Sequence, residues 1–316
     1  MPKNELLINT EINNYLEHII KTNLFSNGYI FHGVEGVGKK QTALNFITKI
    51  FMKYSSMKNI GEKIINNNHP DFLKVEPTPF TKVKEKKIDS SIQKKHNSEV
   101  IKIDQIRKIR NFLSQKSIES EKKIILIIDA HLLNEAASNS LLKILEEPNN
   151  GIFILLTSRL NLLLETIRSR CQIVKFNSFS SKEIESYLRS NFDPSKLKIL
   201  RKFNIQDLVN SSNGSPNKVI DNIEVWNQMS DEIMNKIDLP LKNVTEILKI
   251  SKLISEELDL YQQTCLVNLL QLLWWGKTKN ANIIKDLESL KENLRNNIQP
   301  RLSWELNLLK INSEEN

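Results

Sequence analysis

A short glycine-rich segment near the amino terminus restricts the fold of this chain more than any other feature. Gly33, Gly36 and Gly38 are followed directly by Lys39, after an apolar run and before a helical pattern. Strand, glycine loop and helix in this order are typical of phosphate-binding loops, in which backbone N–H groups and the helix N-terminus face phosphate oxygens. The same segment is compatible with a glycine turn that serves packing alone and holds no nucleotide.

The first half of the chain alternates apolar runs with helical patterns, which predicts βαβ units and a parallel sheet. One of these runs contains no polar residue and predicts a central strand covered on both faces. Such a strand commonly carries a functional residue at its carboxyl end, here Asp129, although an aspartate there can also simply cap the next helix. The predicted strands are Tyr29–His32, Phe72–Val75, Ile124–Ile128, Ile152–Leu156 and Gln172–Phe176.

The second half of the chain is predicted to be helical. Strand patterns stop after Phe176, and Ser180 with Glu183 predicts a capped helix start. The turn Asn213–Pro216 separates the next helices, and apolar residues continue at helical spacing from Ile223. We therefore expect a P-loop domain over residues 1–177, a small helical domain over 178–222 and a C-terminal all-helical domain over 223–316.

The composition bears on compartment and partners. A chain of 316 residues with 40% hydrophobic and 26% charged residues fits a multidomain globular protein. The net charge of +8 suits work close to nucleic acid, but a generically basic protein gives the same value. Cys171 and Cys265 are too few for a disulfide framework or a zinc cluster, which favours a reducing cytoplasm. Neither secretion nor membrane insertion is expected.

Two positions of the predicted nucleotide site lack groups that hydrolysis needs. Lys40 stands where a Ser or Thr hydroxyl normally ligates Mg²⁺. Ala130 stands where active ATPases of this type have a Glu that orients the attacking water. We therefore expect ATP or ADP to bind without hydrolysis, if nucleotide binds at all. The predicted contacts are Gly33, Gly36, Gly38, Lys39, Asp129 and, at the end of the fourth strand, Thr157.

Two basic segments have an ordinary explanation as solvated charge. Arg168 and Arg170 lie on a short segment before the fifth strand, and exposed arginines of this kind are usually surface charge. The lysine-rich residues 82–95 could contact DNA, but a solvated loop is the favoured interpretation because no aromatic residues are interleaved as a stacking platform.

Taken together, these segments resemble the clamp-loader branch of the AAA+ proteins, and most closely its delta-prime type. The order of the motifs is specific, above all the LLKILEEP helix end followed by Ser-Arg-Cys. The resemblance implies an AAA+ P-loop sheet domain followed by a helical lid and a helical collar. The matching segments are Gly33–Lys39, His69–Asp71, Asp129–Pro148, Ser169–Cys171 and Gly214–Pro216.

The resemblance also implies a function. In clamp loaders the Ser-Arg-Cys arginine acts as an arginine finger on ATP bound by the neighbouring subunit, so Arg170 inherits that role. The implied protein is a non-hydrolysing stator subunit of the DNA polymerase III holoenzyme, a DNA-directed DNA polymerase, and helps load the sliding clamp onto primed DNA. Its implied partners are gamma/tau-type motor subunits, the delta subunit and, through the complex, the clamp and primer-template DNA, with no membrane.

Departures from the family pattern support the non-hydrolysing interpretation. Many clamp-loader subunits carry a four-cysteine zinc module, whereas no cysteine precedes Cys171, so no zinc is expected. Motor subunits carry a second sensor Arg after the Gly-Ser turn, where this chain has Asn217.

Three other interpretations remain. An ATP-hydrolysing motor subunit is disfavoured by Lys40, Ala130 and Asn217. A P-loop small-molecule kinase would need an arginine-rich lid and a phosphate acceptor site. A direct DNA-binding module fits the charge but lacks a recognisable reading element.

Overall fold

The computed structural model describes residues 9–54, 59–79, 99–148, 151–192, 198–201, 203–237, 240–241, 243–296 and 298–315. The lysine-rich residues 82–95 lie outside this part of the chain. The described residues form an N-terminal unit within Glu5–Thr81 and Glu99–Ser178 and a C-terminal unit from Phe179 onward. None of the described helices combines the length and the apolar character needed to span a bilayer.

The N-terminal unit is built on a five-stranded sheet in which every pairing is parallel. Its two central strands are buried along their whole length, as their apolar sequences predict. The predicted fold class is confirmed, and each predicted strand is present to within one residue at either end. The sheet strands are β1 (Gly28–His32), β2 (Phe72–Val75), β5 (Lys123–Ile127), β6 (Gly151–Thr157) and β7 (Gln172–Lys175), and they lie in the order β2-β5-β6-β1-β7. The short strands β3 (Thr78–Pro79) and β4 (Glu99–Val100) form a separate antiparallel pair.

Helices cover this sheet and contribute to one apolar core. The helix that ends in the LEEP sequence buries an apolar stripe, which includes Ala137, Leu141 and Leu145. Asn134 caps its start by accepting the Ala137 N–H at 2.8 Å. The helices are α1 (Thr10–Thr22), α2 (Lys39–Tyr54), α3 (Ile60–Ile65), α4 (Ile103–Ser114), α5 (Glu135–Glu146) and α6 (Glu165–Arg168).

The His-Pro-Asp motif anchors the loop that enters β5. The fully buried carboxylate of Asp71 accepts N–H groups from Ile118 at 2.9 Å, Glu119 at 2.7 Å and Ser120 at 2.8 Å. His69 accepts the Asp71 N–H on Nδ1 at 3.1 Å, is buried, and stacks on the ring of Phe51, so the motif contributes to the packing of this unit.

The C-terminal unit is helical throughout its described part. The predicted capping box is confirmed, because the Glu183 carboxylate accepts the Ser180 N–H at 2.7 Å and the Ser180 hydroxyl accepts the Glu183 N–H at 3.3 Å. The expected boundary between residues 222 and 223 falls inside one unbroken helix, α9 (Pro216–Gln228), which contacts α12 (Leu260–Thr278). The helices are α7 (Ser181–Asn191), α8 (Ile205–Ser211), α9 (Pro216–Gln228), α10 (Asp231–Lys236), α11 (Val244–Glu257), α12 (Leu260–Thr278), α13 (Ala281–Arg295) and α14 (Pro300–Glu315).

Tryptophans supply the largest side chains of this second core. Trp226, Trp274 and Trp304 are fully buried, and the indole N–H groups of the last two donate to Ile237 O at 2.8 Å and Gln263 Oε1 at 2.9 Å. Trp274 is therefore a core residue, whereas its neighbour Trp275 remains 44% exposed.

Candidate functional site

The glycine loop joins the carboxyl end of β1 to the start of α2, as predicted. Gly36 and Gly38 adopt φ angles of 80° and 87°, which glycine reaches at no steric cost. At Gly33 a Cβ atom would lie 2.4 Å from the Phe176 carbonyl oxygen, so the close approach of the two backbones requires glycine. The first turn of α2 follows at once, with Thr42 N donating to Gly38 O at 2.9 Å. The loop therefore has the backbone course of a phosphate-binding loop.

Lys39 is engaged by the loop that precedes it. Its Nζ atom donates to the carbonyl oxygens of Gly33 at 2.6 Å and Val34 at 2.7 Å. Burial lowers the pKa of Lys39, while the nearby carboxylates of Glu35 and Asp129 act in the opposite direction. A nucleotide that recruits this ammonium group must therefore replace two hydrogen bonds within the loop.

The two positions that depart from the hydrolysing pattern, Lys40 and Ala130, are both described by the structure. The Lys40 side chain is exposed and its Nζ lies 3.7 Å from Glu76, which follows β2. The Ala130 methyl group is fully buried. Asp129 adopts a left-handed conformation, and its carboxylate makes no capping hydrogen bond to the turn that follows. The alternative role of Asp129 as a helix cap is therefore not observed, and its charge acts on Lys39 instead.

Thr157 lies fully buried at the carboxyl end of β6, next to the loop. Its carbonyl oxygen accepts the Gly33 N–H at 3.3 Å, and its hydroxyl accepts the Arg159 N–H at 3.0 Å and lies 3.2 Å from His131 Nδ1. Burial lowers the pKa of His131, which favours the neutral ring. His131 thus belongs to the site, although the sequence analysis assigned it no role. The parallel pairing of β5 with β6 ends both strands at one edge of the sheet, and this pairing is the signal that places His131 beside Thr157.

Arg170 lies at the opposite edge of the sheet from the glycine loop. It precedes β7, whose first residue Gln172 pairs with Tyr29 near the amino end of β1. The five residues of β1 span ~16 Å at ~3.3 Å per residue, and the loop begins only after them. The sheet therefore separates Arg170 from the loop of its own chain, whereas Gly33, Lys39 and Thr157 lie together.

The turn that carries Arg170 is held against the sheet by its neighbouring residue. Cys171 packs so closely on the sheet that a Cβ atom at Gly28 would lie 2.6 Å from its Sγ atom. Burial raises the pKa of the Cys171 thiol to about 12, so it stays protonated at neutral pH. The Arg170 guanidinium donates from Nη1 to Thr166 O at 3.1 Å and from Nη2 to Glu146 Oε1 at 2.7 Å. The partner of Arg170 within the chain is thus the last residue of α5.

Among the residues that the structure describes, no three His, Cys, Asp or Glu side chains come together as a metal site.

Comparison with known proteins divides the chain as the structure does. Residues 8–180, more than half of the chain, match the family described as "DNA polymerase III, delta subunit". The chain belongs to this family. Residues 194–311 match the family described as "Cyanobacterial DNA polymerase III delta prime, C-terminal domain", which confirms the predicted delta-prime resemblance.

Individual relatives agree with the family match. DNA polymerase III subunit delta' of Bacillus subtilis is 32% identical over 180 residues, covering 55% of this chain and 49% of the relative. DNA polymerase III subunit gamma of Buchnera aphidicola subsp. Schizaphis graminum is 30% identical over 255 residues, covering 74% and 61%. The chain thus spans about half to three fifths of the length of these curated relatives. A DNA polymerase III gamma subunit-related protein from Thermotoga maritima shares the fold, with a TM-score of 0.55 at 16% identity over 95% of this chain and 99% of that one.

Proposed function

We propose that this chain is a delta-prime-type stator subunit of a DNA polymerase III clamp loader and helps load the sliding clamp onto primed DNA. One observation carries the proposal: Arg170 is held at the sheet edge away from its own glycine loop. A guanidinium so placed serves a nucleotide held by another subunit. The neighbour proposed here is an ATP-bound loader subunit, in keeping with the chain's membership of the DNA polymerase III delta subunit family.

The chemistry suits an arginine. In phosphoryl transfer, negative charge spreads over the equatorial oxygens of the transferring group, and a planar guanidinium can donate to two of them at once. Arg170 uses two of its five N–H donors within the chain, so three remain for phosphate oxygens. The role proposed for Arg170 is therefore that of an arginine finger supplied in trans.

The glycine loop of this chain is proposed to hold ATP or ADP without turnover. Backbone N–H groups near Gly36 and Gly38, with Lys39, would contact the phosphates. Lys40 and Ala130 supply neither the Mg²⁺ hydroxyl nor the water-orienting carboxylate. Asp129 and Thr157 border the loop and complete the proposed contacts.

The C-terminal unit is proposed to join a helical collar with gamma/tau-type motor subunits and the delta subunit. Its α14 buries one face through Trp304 and Leu308 but leaves Leu302 42% and Leu306 57% exposed, four residues apart on another face. An apolar stripe of this kind fits burial against a partner helix. The clamp and primer-template DNA would be reached through the assembled complex, in the cytoplasm.

Reconstitution tests the proposal. The chain should co-elute with the motor and delta subunits on size-exclusion chromatography, and the complex should need it for full DNA- and clamp-stimulated ATP hydrolysis. The double substitution Leu302→Lys and Leu306→Lys should weaken co-elution, because it places two charges on the exposed stripe. Ile118→Lys, at a residue 75% exposed on the N-terminal unit, is the matched control and should co-elute normally. A complex that forms and hydrolyses ATP equally well without this chain would refute the proposal.

An ATP-hydrolysing motor subunit is the second candidate, favoured by the match to a gamma subunit over 74% of this chain. The isolated chain decides between the two candidates. Phosphate release by the purified chain that disappears in Lys39→Ala would favour the motor role.

A further inference from the structure

We infer that Glu146 is a positioning residue, which holds the Arg170 guanidinium in the orientation in which it meets the neighbouring subunit's nucleotide. The inference rests on the proposed function of Arg170 and adds a second residue to that site. Its basis is the contact between Glu146 Oε1 and Arg170 Nη2 at 2.7 Å, which joins the end of α5 to the turn before β7.

The guanidinium is held at two points that lie on different elements. Thr166, on α6, offers a backbone carbonyl to Nη1 at 3.1 Å, and Glu146, on α5, offers a carboxylate to Nη2. The backbone beneath is fixed as well, because Cys171, which follows Arg170, and Leu145, which precedes Glu146, both pack at Gly28. An arginine side chain with many rotatable bonds is thereby restricted before any partner binds.

Helix stability does not explain a carboxylate at this place. Glu146 is the last residue of α5, where the negative end of the helix dipole disfavours an acidic side chain. The pair with Arg170 is also half exposed, at 52% and 37% of the two side chains, and such pairs contribute little to folding. Removing Glu146 should therefore leave the fold intact and act on the order of Arg170.

The expected consequence is kinetic. Without Glu146 the guanidinium must be ordered during each catalytic event, so turnover at the served site should fall about three- to tenfold, the range for ordering one long side chain. The ATP concentration for half-maximal rate should change little, because the arginine acts chiefly on the transition state. Glu146→Gln should lose less than Glu146→Ala, since its amide oxygen can still accept from Nη2.

The test is a double-mutant cycle in the reconstituted complex. DNA- and clamp-stimulated ATPase is measured for Glu146→Ala, Arg170→Ala and the double variant, with co-elution checked for each. Glu147→Ala is the matched control, because Glu147 is an adjacent exposed carboxylate whose side chain makes no hydrogen bond within the described part of the chain.

We expect Glu146→Ala to show part of the loss that Arg170→Ala shows, and to add nothing in the double variant, while Glu147→Ala stays at the original rate. An unchanged or faster rate in Glu146→Ala, with Arg170→Ala impaired, overturns the positioning role alone. An unchanged rate in Arg170→Ala overturns the proposed function and the inference with it. Should Glu146→Ala fail to assemble, the shorter Glu146→Asp carries the same test.

Discussion

Replacing Asp71 by Ala removes a buried acceptor on which three consecutive amides depend. The carboxylate accepts N–H groups from Ile118, Glu119 and Ser120 at 2.7–2.9 Å, and Asp71 itself has no exposed surface. Each amide left without an acceptor costs ~1–3 kcal/mol, and the three costs are not additive because the amides share one loop. We expect the free energy of unfolding to fall by about 3–5 kcal/mol, a large fraction of the ~5–15 kcal/mol typical of a domain.

Two measurements check this value. Urea unfolding followed by far-ultraviolet circular dichroism gives the change in free energy, and hydrogen exchange of a peptide over residues 116–122 shows whether the three amides lose protection. Asp104→Ala is the matched control, because Asp104 is exposed and its pair with Arg107 at 2.9 Å is worth only ~0–1 kcal/mol. A loss below about 1 kcal/mol for Asp71→Ala, or unchanged exchange, would refute the reasoning.

Three further outcomes are expected. The purified chain should show no sustained ATP hydrolysis in a phosphate-release assay, and release that depends on Lys39 would contradict this. Burial lowers the pKa of His69 and of His131, so as the pH falls below ~6.5 the unfolded chain takes up protons first. As the pH falls further, the free energy of unfolding should decrease by up to ~1.4 kcal/mol per pH unit for each histidine, until the lower pKa of the folded state is reached. Urea midpoints that are equal at pH 7.5 and 5.5 would disprove this pH dependence. Gly33→Ala should lower the thermal midpoint because its Cβ would meet a backbone oxygen, whereas Gly276→Ala, in an exposed and unobstructed helical position, should raise it by the equivalent of ~1 kcal/mol; equal shifts would contradict the packing argument.

The elements of the N-terminal unit could be predicted because their determinants are local. An uninterrupted apolar run such as Ile124–Ile128 must be buried, either as a strand covered on both faces or as part of a buried helix. Its short length favours the strand. The Ser180–Glu183 capping box likewise depends on side chains three residues apart, and both of its hydrogen bonds form. The loop backbone at Gly36 and Gly38 also follows from residue type alone.

The contacts that define the candidate site depend on the order of the strands in the sheet, which local sequence patterns do not predict. Glu146 and Arg170 are 24 residues apart and meet because α5 and α6 return to the same edge of the sheet. His131 meets Thr157 because β5 and β6 are neighbours. Residue type could not predict that Lys39 donates to the carbonyl groups of its own loop.

The domain boundary expected between residues 222 and 223 depends on tertiary contacts, which helical spacing in the sequence does not report. The expected division rests on the helical spacing that begins at Ile223, and in the structure α9 runs through this position and packs with α12.

The proposed stator role depends most on Arg170 acting on a nucleotide that another subunit holds. Arg170→Ala should fold and assemble normally, because an exposed arginine contributes only ~0–1 kcal/mol to stability. An arginine supplied in trans contributes ~10³–10⁵ to the rate at the site it serves, so that site should stop while the other ATP sites of the loader continue. Stimulated ATPase and clamp loading at saturating ATP and DNA should therefore fall in part with Arg170→Ala, and less with Arg168→Ala. Loaders with Arg170→Ala that work at the unmodified rate would contradict the central claim.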